Sequence, residues 1–531
     1  MRTVNLIKTV FLATFLLFIS TGTILSQKER EKEKIKAKEK EKDEGLIGKA
    51  ELYKAKKNAL DYLSESTVVE KFGGISDAIW NFAELGMQEF KSSGLLIKTL
   101  EDEGFNVEKG LAGMPTCFVA TWGSGKPVIG ILGEFDALPM ISQQPLNPVQ
   151  MPLVAGGPGH GCGHNMMGTA GVAAAIAVKK SMEENGLKGT IKFFGSPAEE
   201  TVISRPYMVR EGLFKDVDAV IDNHAGSELT TAYGVNGNAM ISAVFTFKGK
   251  TAHSAGAPWS AKSALDGVEL MNISTNYLRE HLFYTYRMHY VVTEGGEAPN
   301  VVPDKASVWY YIRNTDERLE EMYNRVLDCA KGAALASGTT LDTVTILTAI
   351  HQRHSNKGVA ETIQRNIELV GMPEWTEKEN EFAKSLQKEL GKDQDGYPVK
   401  FKTLKPPSET QVGGGSSDVG EVTLIAPTAT LNFPGVVPGS VGHHWSTVTS
   451  NYGSAAWKGL NTGAKVIAAS VLDLLTNQKL LGEVQAEFAE YSKTHPYKSF
   501  LPEGAKPPVD LNKELMEKYR DALLKAVESD R

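Results

Sequence analysis

Ten residues, Gly156-Gly157-Pro158-Gly159-His160-Gly161-Cys162-Gly163-His164-Asn165, constrain this 531-residue chain more than any other stretch. Five glycines in ten positions open backbone conformations closed to other residues, so the segment reads as a tight turn. On that turn a thiol and an imidazole stand two residues apart, and both are ligands for a borderline-soft divalent ion such as zinc or manganese. A phosphate-cradling loop is excluded, because no Gly-Lys-Ser/Thr ending follows. The next segment, from Met166 to Glu184, has a helical pattern whose Ala170, Ala173, Ala174 and Ala175 permit close packing.

The length predicts two domains, and an apolar content of 41% is ample to bury them. A net charge of -7, with no Lys/Arg cluster in the body of the chain, argues against a nucleic-acid partner. At the start, Arg2 and Lys8 precede an apolar stretch from Val10 to Leu25, and Ser26 stands before Gln27; residues 1–26 read as a cleaved export signal. The expectation is a periplasmic or secreted protein with no stable membrane insertion after cleavage; an uncleaved anchor is the rival. Residues 27–45, almost wholly Lys and Glu, read as a solvated linker. Three cysteines make no disulfide framework, which leaves Cys117 and Cys329 as buried thiols.

Between Leu46 and Met240 helical and strand-like patterns alternate: helices around Val69 to Leu85 and Ser92 to Gly104, an apolar strand from Pro127 to Gly133, then strands Thr190 to Gly195 and Ala219 to Asp222. Such alternation predicts an α/β layer fold with a mixed sheet. From Ala243 to Ala349 the order becomes strand, helix, strand, strand, helix, strand, a ferredoxin-like unit inserted into the first domain. The expected partition is a catalytic domain over 46–240 and 360–478, an inserted lid or dimerisation domain over 241–359, and a C-terminal extension over 479–531. A strand from Thr428 to Asn432 and an Ala-rich helix from Ala455 to Leu475 would complete the first domain.

Most polar candidates follow strands, and in open α/β sheets side chains converge beyond the carboxyl ends of strands. The ordered set is Glu134-Phe135-Asp136-Ala137-Leu138-Pro139, then Gly161-Cys162-Gly163-His164, then Pro197-Ala198-Glu199-Glu200, then Asn223-His224, with Gly442-His443-His444-Trp445 far downstream. Taken alone, Glu199-Glu200 is equally an acidic pair at a helix N-terminus. A serine-nucleophile reading of Gly415-Ser416-Ser417-Asp418 fails for lack of the Gly-x-Ser-x-Gly elbow, and these residues read as a wall of the site or a turn start.

In these segments the chain resembles the M20 metallopeptidase family, specifically its amidohydrolase branch, from about Leu46 to Gln478. The resemblance implies two divalent ions, manganese or zinc, held by Cys162, His164, Glu200, His224 and a distal histidine, for which His443 is favoured over His444. It assigns the general base to Glu199, with Asp136 orienting a ligand. It implies that His253, in Lys248-Gly249-Lys250-Thr251-Ala252-His253-Ser254, steadies the oxyanion, often across a dimer, so that a homodimer is expected. Asn300 would bind substrate, and Arg313 would pair with a substrate carboxylate, a surface ion pair being the alternative. The implied activity is hydrolysis of the amide of N-acyl or N-aroyl amino acids such as aminobenzoyl-glutamate; a dipeptidase or carboxypeptidase is the runner-up, and a non-catalytic binding protein the rival of another class. One departure stands out: co-catalytic relatives carry His-x-Asp where this chain has Glu134-Phe135-Asp136, leaving the role of Glu134 open between ligand, supporting group and neither.

Overall fold

The computed structural model describes residues 49–404, 406–407 and 414–529; the segments read as export signal and charged linker lie outside them. Strands β1 (Asn106–Lys109), β2 (Phe118–Ser124), β3 (Val128–Glu134), β4 (Gly189–Ser196), β5 (Ala219–Gly226), β6 (Thr230–Thr231) and, far downstream, β13 (Thr428–Pro434) form one sheet in the order β1-β2-β4-β3-β5-β13-β6. Its centre is parallel, β4 and β5 flanking β3 and β13 joining β5, while the edges are antiparallel. Parallel strands are covered on both faces. That explains why Val128-Ile129-Gly130-Ile131-Leu132 reads as a continuous apolar run and is wholly buried.

Small residues let two helices lie close on this sheet. On the helix His164–Asn185, a Cβ added at Gly168 would sit 2.6 Å from the Glu134 carbonyl oxygen, so the absence of a side chain there sets the helix-to-β3 distance. The helix Gly453–Thr476 passes still closer to β13: a Cβ at Gly459 would fall 1.8 Å from the Pro434 carbonyl oxygen.

A second sheet combines β8 (Ala239–Lys248), β9 (Arg287–Glu294), β10 (Lys305–Asn314) and β11 (Thr340–Ile350), all antiparallel, in the order β11-β8-β10-β9. Helices Ala264–Leu278 and Asp316–Ser337 supply Val268, Leu319, Met322 and Val326 to a core with Phe245, Phe247, Tyr310 and Ile312. This is the strand-helix-strand-strand-helix-strand order expected from the sequence. On the face of β10 turned away from those helices lie Trp309, Tyr311 and Arg313. The two crossings between the sheets pair with each other as β7 (Gly234–Asn236) and β12 (Arg353–Ser355). Directly after β12, the helix Lys357–Val370 places Val359, Ala360, Ile363 and Ile367 in the core of the seven-stranded sheet.

The tail has helices Gln478–Thr494 and Lys513–Ser529. Met516 and Leu523 pack on Ala83, Leu85 and Ala137. Cys117 is buried, whereas Cys329 is only half-buried. No helix of the described residues is long and apolar enough to cross a membrane.

Because neither the β13 backbone nor the helix over it can yield independently, Gly459→Ala is expected to cost roughly 1–3 kcal/mol of stability. The check is a lower urea midpoint with an unchanged denaturant slope.

Candidate metal centre and active site

The glycines of the signature turn are required by space as well as by φ. A Cβ at Gly161 would meet Ile141 Cδ1 at 2.4 Å, and one at Gly163, itself left-handed with φ of 85°, would meet Ala225 Cβ at 2.7 Å. Cys162 is thereby pressed between the loop after β3 and the end of β5. His164 opens the following helix, fully buried, with Nδ1 at 2.9 Å from Asp136 Oδ1. Asp136 Oδ2 accepts the Glu200 N–H at 3.0 Å, so one carboxylate fixes two elements of the site.

Glu199 and Glu200 ride on a short turn, Glu199–Thr201, flanked by two left-handed residues, Ala198 (φ 53°) and Val202 (φ 51°). Such backbone is costly for residues with a Cβ and persists only where surroundings enforce it. Here the Ala198 N–H donates to Glu89 Oε1 at 2.7 Å, and the Val202 carbonyl accepts the Thr348 hydroxyl from β11 at 2.6 Å. Burial, with Asp136 nearby, pushes the Glu89 carboxyl up to about 8.

Two groups of three ligand atoms contain Cys162, each with all members within 4.8 Å of one another: Cys162 with His164 and His224, and Cys162 with Glu200 and His443. The thiol is common to both. Cys162 Sγ stands 3.4 Å from His224 Nε2, while His224 Nδ1 lies 2.7 Å from the Ala225 carbonyl oxygen, an arrangement in which Nδ1 donates and Nε2 keeps its lone pair for the cluster. His443 Nε2 is 3.3 Å from Glu200 Oε2, whereas His444 turns away to cap the helix Trp445–Ser450 through Ser446. His443, held left-handed at φ 57°, is therefore the distal histidine of the cluster.

The donor set fits a cation. Glu134 Oε2, His164 Nε2 and Glu200 Oε1 are all buried and none has a hydrogen-bond partner, a state that buried polar atoms rarely keep. Burial holds the Glu200 carboxyl well above its usual range and pushes the Cys162 thiol up to about 12, and Glu200 itself adds to the thiol's shift. Against the effect of its own burial, His164 is driven well above the usual imidazole range by Cys162, Glu200 and Asp136. The first two shifts come foremost from burial and the third from the surrounding anions, and a bound cation would favour the charged acids and thiolate.

Arg205 and Asp418 form a part of the site that the motif reading did not include as a pair. Arg205, fully buried, pairs with Glu134 Oε1 at 2.7 Å through Nη2 and with Asp418 through Nη1. The sequence signal was an arginine at the start of a short helix, Ser204–Arg210, whose other buried members are mostly apolar. Arg313 lies on the open face of β10 over the Tyr311 ring at 5.3 Å, has no ion-pair or hydrogen-bond partner among the described residues, and its Nε is buried. Glu199 and His443 both feel its charge. His253 and Asn300 are not brought to the cluster within one chain: both are exposed, joined to each other's turn by the Ser254 N–H donating to the Asn300 carbonyl at 3.1 Å.

Residues 130–528 match the profile of Peptidase family M20/M25/M40. The chain belongs to this family. Among curated relatives, one of the p-aminobenzoyl-glutamate hydrolase chains of Escherichia coli is 35% identical over 82% of this chain and 96% of its own length. The Xaa-Arg dipeptidase of Mus musculus is 28% identical over 84% of this chain and 95% of its own length. A solved aminobenzoyl-glutamate utilization protein from Klebsiella pneumoniae shares the fold with a TM-score of 0.56 at 15% identity, covering 79% of this chain and 98% of that one. This M20 member is a metal-dependent amidohydrolase.

Asp136→Asn removes the carboxylate charge and leaves one acceptor oxygen where the His164 ring and the Glu200 N–H now use two. It is expected to weaken divalent-ion affinity about 10–100-fold, measured by competition with a chromophoric chelator.

Proposed function

We propose that the enzyme hydrolyses the amide bond of an N-acyl or N-aroyl amino acid, with two divalent ions, manganese or zinc, sharing the Cys162 sulfur. The observation that carries this reading is the pair of ligand trios with Cys162 in common: Cys162, His164 and His224 would hold one ion, and Cys162, Glu200 and His443 the other. When bound, such ions supply electrophilic catalysis, polarising the scissile carbonyl and acidifying water. Glu199, whose Oε2 lies 3.7 Å from His164 Nε2, would take a proton from the attacking water and deliver it to the departing nitrogen.

Arg313 supplies the specificity for an amino-acid product. A largely buried guanidinium without a partner favours an anionic ligand, and the free carboxylate of the leaving amino acid meets that need. In His253, Nδ1 accepts the backbone N–H groups of Ala255 at 3.2 Å and Gly256 at 3.0 Å, which leaves Nε2–H as a donor suited to an oxyanion. In one chain that donor stands apart from the cluster, and a second copy would bring it in; Asn300 would travel with it. Exposed Ile273, Tyr277 and Leu335 on the helices of the second sheet support a homodimer. The apolar N-terminal stretch supports a periplasmic or secreted location. Similarity to the mouse dipeptidase keeps dipeptides as the second substrate class.

Purified enzyme loaded with manganese or zinc is expected to cleave aroyl-glutamates in preference to dipeptides; cleavage of dipeptides alone would overturn the substrate reading. Glu199→Gln is expected to keep its metal and lose roughly 10²–10⁴-fold in kcat. Cys162→Ala is expected to lose bound metal at saturation, and full retention would remove the shared-thiol assignment. Arg313→Met should raise KM about 10–100-fold for a substrate bearing the α-carboxylate and leave its des-carboxy analogue unaffected.

A further inference from the structure

Glu134 occupies the position at which the co-catalytic pattern places a histidine, and its surroundings show what replaced that ligand. The carboxylate is divided between two neighbours. Oε1 is held 2.7 Å from Arg205 Nη2, and Oε2 faces His164 Nε2 at 3.3 Å. Glu134, His164 and Glu199 form a third trio of ligand atoms within 4.8 Å, so geometry alone would allow an ion there as well as at the two trios containing Cys162. What distinguishes the third trio is the cation already beside it.

Asp418 fixes Arg205 at two points and its neighbour Ser204 at a third. Its Nη1 pairs with Asp418 Oδ1, its backbone N–H donates to Asp418 Oδ2 at 3.0 Å, and the neighbouring Ser204 hydroxyl donates to the same oxygen at 3.2 Å. The side chain is 0% exposed, and neither Nε nor Nη2 makes a hydrogen bond, so Nη2 meets Glu134 as an ion pair. A guanidinium in such a place is expensive to desolvate and keeps its charge, unlike a lysine or histidine, so it is a permanent positive charge at the edge of the metal crevice.

We infer that Arg205 is a positioning residue that withholds Glu134 from metal coordination, so that divalent ions are confined to the two trios sharing Cys162 and Glu134 serves only as a fixed, arginine-paired carboxylate beside His164. The guanidinium occupies one carboxylate oxygen directly and disfavours a second cation at the other by like-charge repulsion. Asp418, more than two hundred residues downstream, anchors the guanidinium from behind. This inference rests on the reading of Cys162 as the shared ligand, and the two fail separately: that reading falls if Cys162→Ala keeps its full metal complement, whatever Glu134 does.

The test uses full-length protein stripped with a chelator and reloaded with Co²⁺, whose visible ligand-field absorption weakens as coordination number rises from four to six. Metal is counted at saturation by mass spectrometry. Glu134→Gln, an isosteric change, is expected to hold as many ions as wild type with an unchanged cobalt spectrum. Arg205→Gln frees Glu134 and is expected to give a weaker, broader absorption, which the double variant Glu134→Gln/Arg205→Gln restores to the wild-type shape. Loss of an ion, or an altered spectrum, in Glu134→Gln would show that Glu134 is a ligand and overturn the inference. So would a folded Arg205→Gln with the wild-type spectrum. If Arg205→Gln does not fold, as judged by circular dichroism, Glu134→Gln decides alone.

Discussion

The structure depends on how a surplus of buried negative charge is shared out. Glu89, Glu134, Asp136, Glu199, Asp222 and Asp418 are all buried near the carboxyl ends of the central strands, together with most of Glu200 and the Cys162 thiol. Removing so many acids from water is tolerable only where each finds donors or a cation. Several do so within the chain: Glu89 accepts the Ala198 N–H and the Thr116 hydroxyl, Asp222 accepts the Thr430 hydroxyl, and Glu134 and Asp418 share Arg205. Asp136 has the His164 ring and the Glu200 N–H. Cys162, Glu200, the Nε2 of His164 and the second oxygen of Glu134 are left over, and those are the groups with an unmet demand for positive charge.

The same division of labour explains why the site tolerates a strained turn. Ala198 and Val202 bracket Glu199 and Glu200 in left-handed conformations, each tied by a hydrogen bond to a different part of the molecule, Glu89 behind and Thr348 in the second sheet in front. Tyr311, from that second sheet, packs against the cluster of Val202, Met240 and Ile350. The turn carrying Glu199 and the face carrying Arg313 thus meet at one small apolar contact between the two sheets.

The tail contributes to the same end from outside. Phe500 stacks on His351 at 4.1 Å, His351 Nδ1 pairs with Glu421 at 2.6 Å, and Tyr497 donates to the other oxygen of Glu421 at 2.6 Å, so the end of β11 is held where the second sheet returns to the first. Glu487 accepts the N–H groups of Lys357 and Gly358 at 2.7 and 3.0 Å, serving the open end of the following helix. The extension therefore stabilises the junction between the two sheets.

Much of this was legible in the residues alone because it is local. Period and length announced the helix at His164–Asn185 and the ferredoxin-like unit, glycine spacing announced the turn around Cys162, and the ordered motifs picked out His164, Glu199, Glu200 and His224. Short edge strands such as β1, with the polar sequence Asn106-Val107-Glu108-Lys109, carry no alternation strong enough to read, and the helix Lys357–Val370 became evident only from its burial against the main sheet. Which of His443 and His444 lies near Cys162 and Glu200 depends on a backbone dihedral and a cap, neither of which adjacent identical residues can encode in their names. Arg205 illustrates the limit most clearly. Sequence marks it as a charge beside apolar neighbours that must find a partner, yet which carboxylates it meets depends on three segments far apart in the chain folding onto one crevice, because pairing of buried charges is set by distance in space and by exclusion of water, and only tertiary structure supplies both.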